Sequence, residues 1–253
     1  LFLNETPLLS TTLETAELTK YAANAFLATK ITFINEMADL CEKVGGNVQD
    51  IARGMGLDGR IGKKFLHAGP GYGGSCFPKD TIALVKTASD HQAPTHIVEA
   101  VVAVNDARKK AMANRVLDAL GDQAKGARVG ILGVTFKPNT DDMRDAPSLD
   151  IIPALQAAGC QIHAYDPVGM TEAQKHLDDV VWAENAYDAL DQADCMVIIT
   201  EWNEFRALQL DQVKERLKQP LIVDMRNIYR PEEMAAKGFT YHSIGRPSVG
   251  PAT

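Results

Sequence analysis

A chain of 253 residues with 45% hydrophobic and 23% charged side chains has the make-up of a soluble globular protein, and length for one large domain or two modest ones. Its formal charge of −7, with no basic run or stripe, excludes broad binding to nucleic acid or to an anionic membrane, so any anionic ligand must be held by a few placed cations. No apolar run approaches the roughly 18 residues of a membrane span, and the opening Leu1-Phe-Leu-Asn-Glu-Thr6 lacks the basic and apolar regions of a signal peptide.

The four cysteines, Cys41, Cys76, Cys160 and Cys195, are far apart and show no CxxC or Cys/His ligand spacing, so neither a metal site nor a disulfide framework is suggested. A reducing cytoplasm is the expected compartment.

In chain order, Thr11-x-x-Glu14 has the pattern of a capping box, and about 15–44 follows without Gly or Pro and with apolar residues roughly at helical spacing. Gly45-Gly46 ends it. About 30 residues at 1.5 Å each give a rod of about 45 Å, longer than a small domain needs and apolar over more than one face, as befits a spine shared with another domain or subunit. Asn47 caps a short second helix to about 55, and glycines then break the chain around Arg60. Helices are predicted over 78–89 and 95–120.

Between these lies Gly69-Pro-Gly-Tyr-Gly-Gly-Ser-Cys-Phe-Pro-Lys-Asp80, whose glycines permit positive φ and close approach to a ligand. Pro78 suits a first helical turn, so Cys76 falls just before a helix N-terminus, where the dipole and the Lys79 ammonium favour thiolate, the nucleophilic form. The competing reading is a tight turn around an inert thiol. Lys20 and Asn24, four apart, share a helix face and could form an oxyanion site; Asp80 could handle a water or merely favour the helix dipole. His67, nine residues before Cys76, permits a Cys/His dyad, though no orienting Asn or Asp is evident.

After Gly121 the pattern changes to apolar runs at 128–133, 161–166, 195–200, 221–224 and 239–243. These alternate with helical segments at 147–158, 187–192, 210–217 and 231–237. The expected fold class is therefore α/β: an all-helical region over 1–121 on a long helix, followed over 122–253 by a Rossmann-like doubly wound parallel sheet domain with ligands at the carboxyl ends of the strands. No GxGxxG follows the first strand. A long loop with Lys137 and Arg144 stands there instead, unsuited to ordinary dinucleotide binding but able to hold a diphosphate.

Taken together, Glu17-Leu-Thr-Lys-Tyr-Ala-Ala-Asn24, Asn35-Glu36, Gly59-Arg-Ile-Gly62, Gly71-Tyr-Gly-Gly-Ser-Cys-Phe-Pro-Lys-Asp80, Phe136-Lys-Pro-Asn-Thr-Asp-Asp-Met-Arg144 and Tyr165-Asp-Pro167 resemble the UDP-glucose/GDP-mannose dehydrogenase family, in its bacterial UDP-glucose 6-dehydrogenase form, from about 14 to about 245. The resemblance implies an NAD-dependent two-step oxidation of UDP-glucose to UDP-glucuronate. It also implies a homodimer formed through the long helix and a sheet domain for the UDP moiety. The family's N-terminal NAD domain would precede this sequence, so the chain reads as a fragment that should not turn over alone.

By position, the resemblance makes Cys76 the nucleophile, Lys20 and Asn24 the oxyanion pair and Asp80 the acid that handles water and protons. Substrate contacts fall on Lys20, Asn24, Arg60 (reaching across the dimer), Phe65, Leu66, His67, Ala68, Gly69, Gly73, Phe136, Lys137 and Arg226. His67 enters as a backbone contact only. Lys79 and Arg144 would meet NAD. The alternatives are GDP-mannose 6-dehydrogenase or a related sister enzyme, and a catalytically silent nucleotide-sugar-binding dimerisation module.

Overall fold

A computed structural model describes residues 8–251; the opening Leu1–Thr6, considered above for a leader, lies outside them. With no helix breaker in its length, α1 runs from Leu13 to Val44, closed at its end by Gly45 in the left-handed region (φ 76°), whose N–H returns to Cys41 O. Its N-cap is Thr12 rather than Thr11: the Thr12 hydroxyl accepts from Thr15 N, so the capping pattern sits one residue later than expected and the Glu14 side chain has no part in it. Helix α2 (Val48–Gly56) starts at an Asn47 cap, α3 (Phe77–Asp90) at Cys76, and α4 (His96–Leu120) ends at Gly121.

A 3₁₀ turn at Gly121–Gln123 leads into the second half. There β1 (Arg128–Leu132), α5 (Ser148–Ala157), β2 (Gln161–Tyr165), α6 (Met170–Ala173), β3 (Val180–Trp182), α7 (Ala186–Leu190), β4 (Cys195–Ile198), α8 (Asn203–Arg206), α9 (Leu210–Arg216), β5 (Leu221–Asp224), α10 (Pro231–Ala236) and β6 (Thr240–Ser243) come in turn. The strands are all parallel in the order β3-β2-β1-β4-β5-β6, the doubly wound arrangement expected. Strand β3 and helices α6 and α8, each of three or four residues, were not anticipated.

Side chains alternate across this sheet. Val129, Ile131, Cys195, Val197 and Val223 join a core with α1, α4 and α5, while Leu132, Met196, Ile198, Ile222 and Tyr241 pack under the later helices. The first core runs without a break from Ile34 and Ala38 through Met112 and Val116 to Ile151. Burying each such aliphatic side chain contributes about 1.5–3 kcal/mol, so helical region and sheet hold each other. No helix among the described residues is long and apolar enough to cross a membrane.

Burial holds His163 in β2 and His242 in β6 below the ordinary histidine pKa of 6.5, with Arg128 adding to the effect on His163. The unfolded chain therefore takes up protons that the folded one resists. The stability these rings contribute is present above 6.5 and is lost as the pH falls below it toward the depressed folded values. The urea midpoint is expected to drop between about pH 7.5 and about pH 5, and the double variant His163→Gln/His242→Gln to show a shallower drop. An unchanged slope in the double variant would remove these rings as the source.

Candidate active site

Cys76 is the exposed cysteine among four free ones and stands at the head of α3, with Pro78 in the first turn behind it. The one hydrogen-bond partner of its thiol among the described residues is Ser75 Oγ, at 3.7 Å; His67 makes no such bond, so the Cys/His dyad is not formed. The segment before it, residues 69–74, is buried and packed from three sides. Asn105 grips Tyr72, Asn35 and Arg108 grip Gly69, and Gly74 N donates to Arg144 O at 2.7 Å from the loop after β1. Gly71 (φ 120°) and Gly74 (φ 85°) adopt backbone that a side chain resists.

Beside the thiol loop, side chains distant in sequence converge. Asn24, buried on α1, donates Nδ2 to Asp80 Oδ2 at 2.5 Å, and its Oδ1 accepts from Lys20 Nζ at 3.4 Å. Lys79 Nζ is 3.2 Å from the other Asp80 oxygen. The four residues thus form one chain, Lys20–Asn24–Asp80–Lys79, with the carboxylate buried and both ammonium groups toward solvent. Asp80 is more than a dipole-favouring acid at the start of a helix, because its two oxygens are committed to side chains on different elements.

The carboxyl edge of the sheet meets the helical region in a cleft of about 420 Å³ lined by Ile31, Lys64, Phe65, His67, Gly71, Tyr72, Gly73, Phe77, Phe136, Lys137, Glu201 and Arg226. A second lobe of about 630 Å³ shares Lys64, His67 and Arg226 with it and adds Leu66 and Ala68, against Val48 and Ala52 of α2. Phe136 and Lys137 follow β1, Glu201 follows β4 and Arg226 follows β5, all at strand ends. Arg226 donates Nε to Glu201, which leaves its two terminal nitrogens for a ligand, and its Nη1 comes within 2.9 Å of where a side chain on Gly69 would begin. The Lys137 ammonium lies 5.1 Å from the Phe136 ring centroid. Phe65 holds a left-handed backbone (φ 62°), which is strained for so bulky a residue and is the kind of strain found at ligand sites.

Phe65, Leu66, His67, Ala68, Gly73, Phe136, Lys137 and Arg226 are thus brought to one two-lobed cleft, with Gly69 against its edge. Arg60 is not among them. It lies on an exposed turn, forked onto Asp58 with Nε 3.0 Å from Oδ1. Lys79 and Arg144 also lie outside the cleft, as exposed cations, Arg144 bidentate to Asp142 at 2.9 and 2.8 Å. That pairing raises the Arg144 pKa, and the nearby Cys76 adds slightly to the rise. Glu201, Tyr72, Phe77 and Lys64 were missed. Glu201 carried a usable signal, being the polar residue after a correctly read strand.

The crevice between β1 and β4, where a doubly wound sheet takes a dinucleotide, does not fit one here. Asp166, after β2, is fully buried and spends its oxygens on Val134 N (2.8 Å), Gly169 N (2.7 Å), Val168 N (3.1 Å) and Trp202 Nε1 (3.1 Å), and Thr200 packs onto Gly133. No glycine-rich phosphate turn replaces them.

Residues 14–107 match the central domain of the UDP-glucose/GDP-mannose dehydrogenase family and residues 130–231 its UDP binding domain. The chain is 62% identical over 247 residues to a UDP-glucose 6-dehydrogenase of Rhizobium meliloti (strain 1021), covering 98% of this chain and 56% of that protein. It is 49% identical over 244 residues to UDP-glucose 6-dehydrogenase TuaD of Bacillus subtilis (strain 168), covering 96% and 53%. The solved structure of a UDP-glucose dehydrogenase from Pyrobaculum islandicum superposes with a TM-score of 0.84 at 33% identity, over 94% of this chain and 52% of that one. The chain spans about half the length of the curated relatives it matches.

Proposed function

The chain belongs to the UDP-glucose/GDP-mannose dehydrogenase family, and from that membership we propose that it forms the substrate-binding, thiol-bearing part of an NAD-dependent enzyme oxidising UDP-glucose to UDP-glucuronate. The observation that carries this reading is the position of the exposed Cys76 at the end of the same segment that walls the cleft, into which the sheet domain brings Lys137 and Arg226. We take the boundary between the helical and the UDP-binding domain at 121/122.

A first oxidation takes the C6 hydroxyl of the sugar to an aldehyde, and Cys76 Sγ then adds to that carbonyl, whose oxygen takes up a proton, to give a thiohemiacetal. Oxidation of that adduct leaves a thioester. Water then attacks it, its proton passes to Asp80, the C–S bond breaks and the thiolate leaves, yielding the carboxylate. Because Asn24 Nδ2 is committed to Asp80, Lys20 supplies the positive charge at the oxyanion and Asn24 places it. NAD, when bound, would supply the hydride acceptor for both oxidations. Lys79 and Arg144, both exposed, suit a dinucleotide phosphate arriving from outside this chain's sheet. Arg226 and Lys137 hold the diphosphate, and Leu66, Ala68 and Ala52 offer the apolar lobe for the base.

Phe26, Phe33 and Leu40, seven apart on α1 and all exposed, form an apolar stripe that suits a second copy of this helix, and Arg60 would reach the partner's site from its exposed turn. Phe33→Glu is expected to convert a dimer to a monomer in sedimentation; a dimer that survives removes the stripe from the interface. Four unpaired cysteines fit a cytoplasmic setting.

Calorimetric titration of this chain with UDP-glucose and with GDP-mannose tests the substrate. The chain is expected to bind UDP-glucose at least about tenfold tighter, a difference of about 1.4 kcal/mol. Preference for GDP-mannose would move the reading to the sister enzyme, for which the solved GDP-mannose dehydrogenase offers similarity of fold alone, at 21% identity.

A further inference from the structure

The thiol and the cleft share one segment of chain, and three buried side chains close on its backbone. Asn105 of α4 accepts from Tyr72 N through Oδ1 at 2.8 Å and donates to Tyr72 O through Nδ2 at 3.1 Å, so a single amide satisfies both polar groups of one loop residue. Asn35 of α1 accepts from Gly69 N at 2.9 Å. Arg108, three residues beyond Asn105, donates Nε to Gly69 O at 2.7 Å and Nη1 to Asn35 O at 3.3 Å, and is itself held by Asp39 at 2.8 Å.

Four backbone groups between Gly69 and Tyr72 are therefore bound by side chains instead of by a helix or a strand. A connecting loop ordinarily lies at the surface and leaves such groups to water. Here Asn35, Asn105 and Arg108 are 1%, 3% and 6% exposed, and Arg108 Nη2 has no partner at all among the described residues, so the molecule accepts the cost of a buried guanidinium to keep the grip. Between the two gripped residues Gly71 takes φ 120°, a conformation that fixes the direction of the chain beyond it. Tyr72 comes next, its ring packed edge-on against Phe77 with centroids 6.0 Å apart, and four residues later the segment reaches Cys76 at the head of α3.

We propose that Asn35, Asn105 and Arg108 are positioning residues for the reaction: by holding Gly69 and Tyr72 they set Cys76 and the aromatic wall of the cleft at a fixed distance from each other. This rests on the reading of Cys76 as nucleophile and of the cleft as the sugar-nucleotide site. The grip is the means by which half-ångström placement of a loop nucleophile is kept.

Because the other three cysteines are buried, iodoacetamide reports Cys76 in the folded chain. Asn105→Ala and Arg108→Lys, assayed where circular dichroism shows both folded, are expected to slow alkylation at neutral pH and to weaken UDP-glucose binding, each on the order of tenfold. Val116→Ala, in the core of the same helix away from the loop, is the control: it is expected to lower stability and leave both readouts unchanged. If the loop-gripping variants alkylate and bind like Val116→Ala, the three residues are merely structural and the proposal is overturned. Should Asn105→Ala fail to fold, Asn105→Asp takes its place, since it keeps the acceptor to Tyr72 N and loses the donor to Tyr72 O; the same slowing is expected, and an unchanged rate overturns the proposal. Failure of the unsubstituted chain to bind UDP-glucose would count against the nucleotide-sugar reading, while the alkylation comparison still decides the positioning role.

Discussion

Cys76→Ser in the complete protein is expected to lower net oxidation of UDP-glucose by on the order of 10³-fold or more while leaving sugar-nucleotide affinity within about twofold. The asymmetry follows from where the sulfur stands. Cys76 is exposed at the rim, next to the cleft but not among the residues that line it, so exchanging sulfur for oxygen removes little binding surface. Chemistry suffers because a serine hydroxyl needs a base to become a nucleophile, and none is within reach: the nearest side-chain partner of this position is the Ser75 hydroxyl at 3.7 Å. Asp80 makes no hydrogen bond to this position: its side-chain contacts are to Asn24 and Lys79, and its proton-handling role is toward the water that attacks later. NADH formation measured beside calorimetric binding separates the two effects. Normal turnover in the variant would end the assignment of Cys76 as nucleophile. Loss of binding together with activity would make the side chain part of the cleft.

Much of the fold was legible because its signals are local. The absence of glycine and proline from Leu13 to Val44 announces α1, and the apolar runs from Arg128 onward announce five of the six strands that form the sheet. Strand β3 escaped because Val180–Trp182 is only three residues long at the sheet edge, with Val181 exposed. The slip from Thr12 to Thr11 at the start of α1 has a similar origin: adjacent threonines offer the same chemistry, and only the backbone decides which hydroxyl meets Thr15 N. The Cys76 loop was legible from its glycines and its Pro78. The contacts that organise it were not, since Asn24 is 56 residues from Asp80 and Asn105 is 33 from Tyr72, and no spacing rule spans such separations. Arg60 shows the converse limit. The resemblance assigns it to a substrate across the dimer, and within one chain its guanidinium lies on Asp58, away from the cleft.

Gly73→Ala is expected to destabilise the chain by about 3 kcal/mol and to weaken UDP-glucose binding beyond what the stability loss explains. A Cβ at Gly73 would stand 2.2 Å from Asp145 O and 2.8 Å from Asp145 C, both backbone atoms of the loop after β1, so no side-chain rotation can relieve the clash. The thiol loop cannot retreat either, because Asn105 holds Tyr72 on one side and Gly74 N is bonded to Arg144 O on the other. One of the two loops must therefore move, and the loop after β1 also carries Phe136 and Lys137 into the cleft, which couples the packing defect to the ligand. Gly54→Ala in α2 is the contrast: nothing lies within 4 Å of its Cβ, and in a helix the exchange should stabilise by about 0.5–1 kcal/mol. Urea denaturation of both variants, with UDP-glucose titration of the folded protein, reads the difference. If Gly73→Ala costs no more than a few tenths of a kcal/mol, the helical region and the sheet do not meet at this glycine, and the cleft between them is not closed as described.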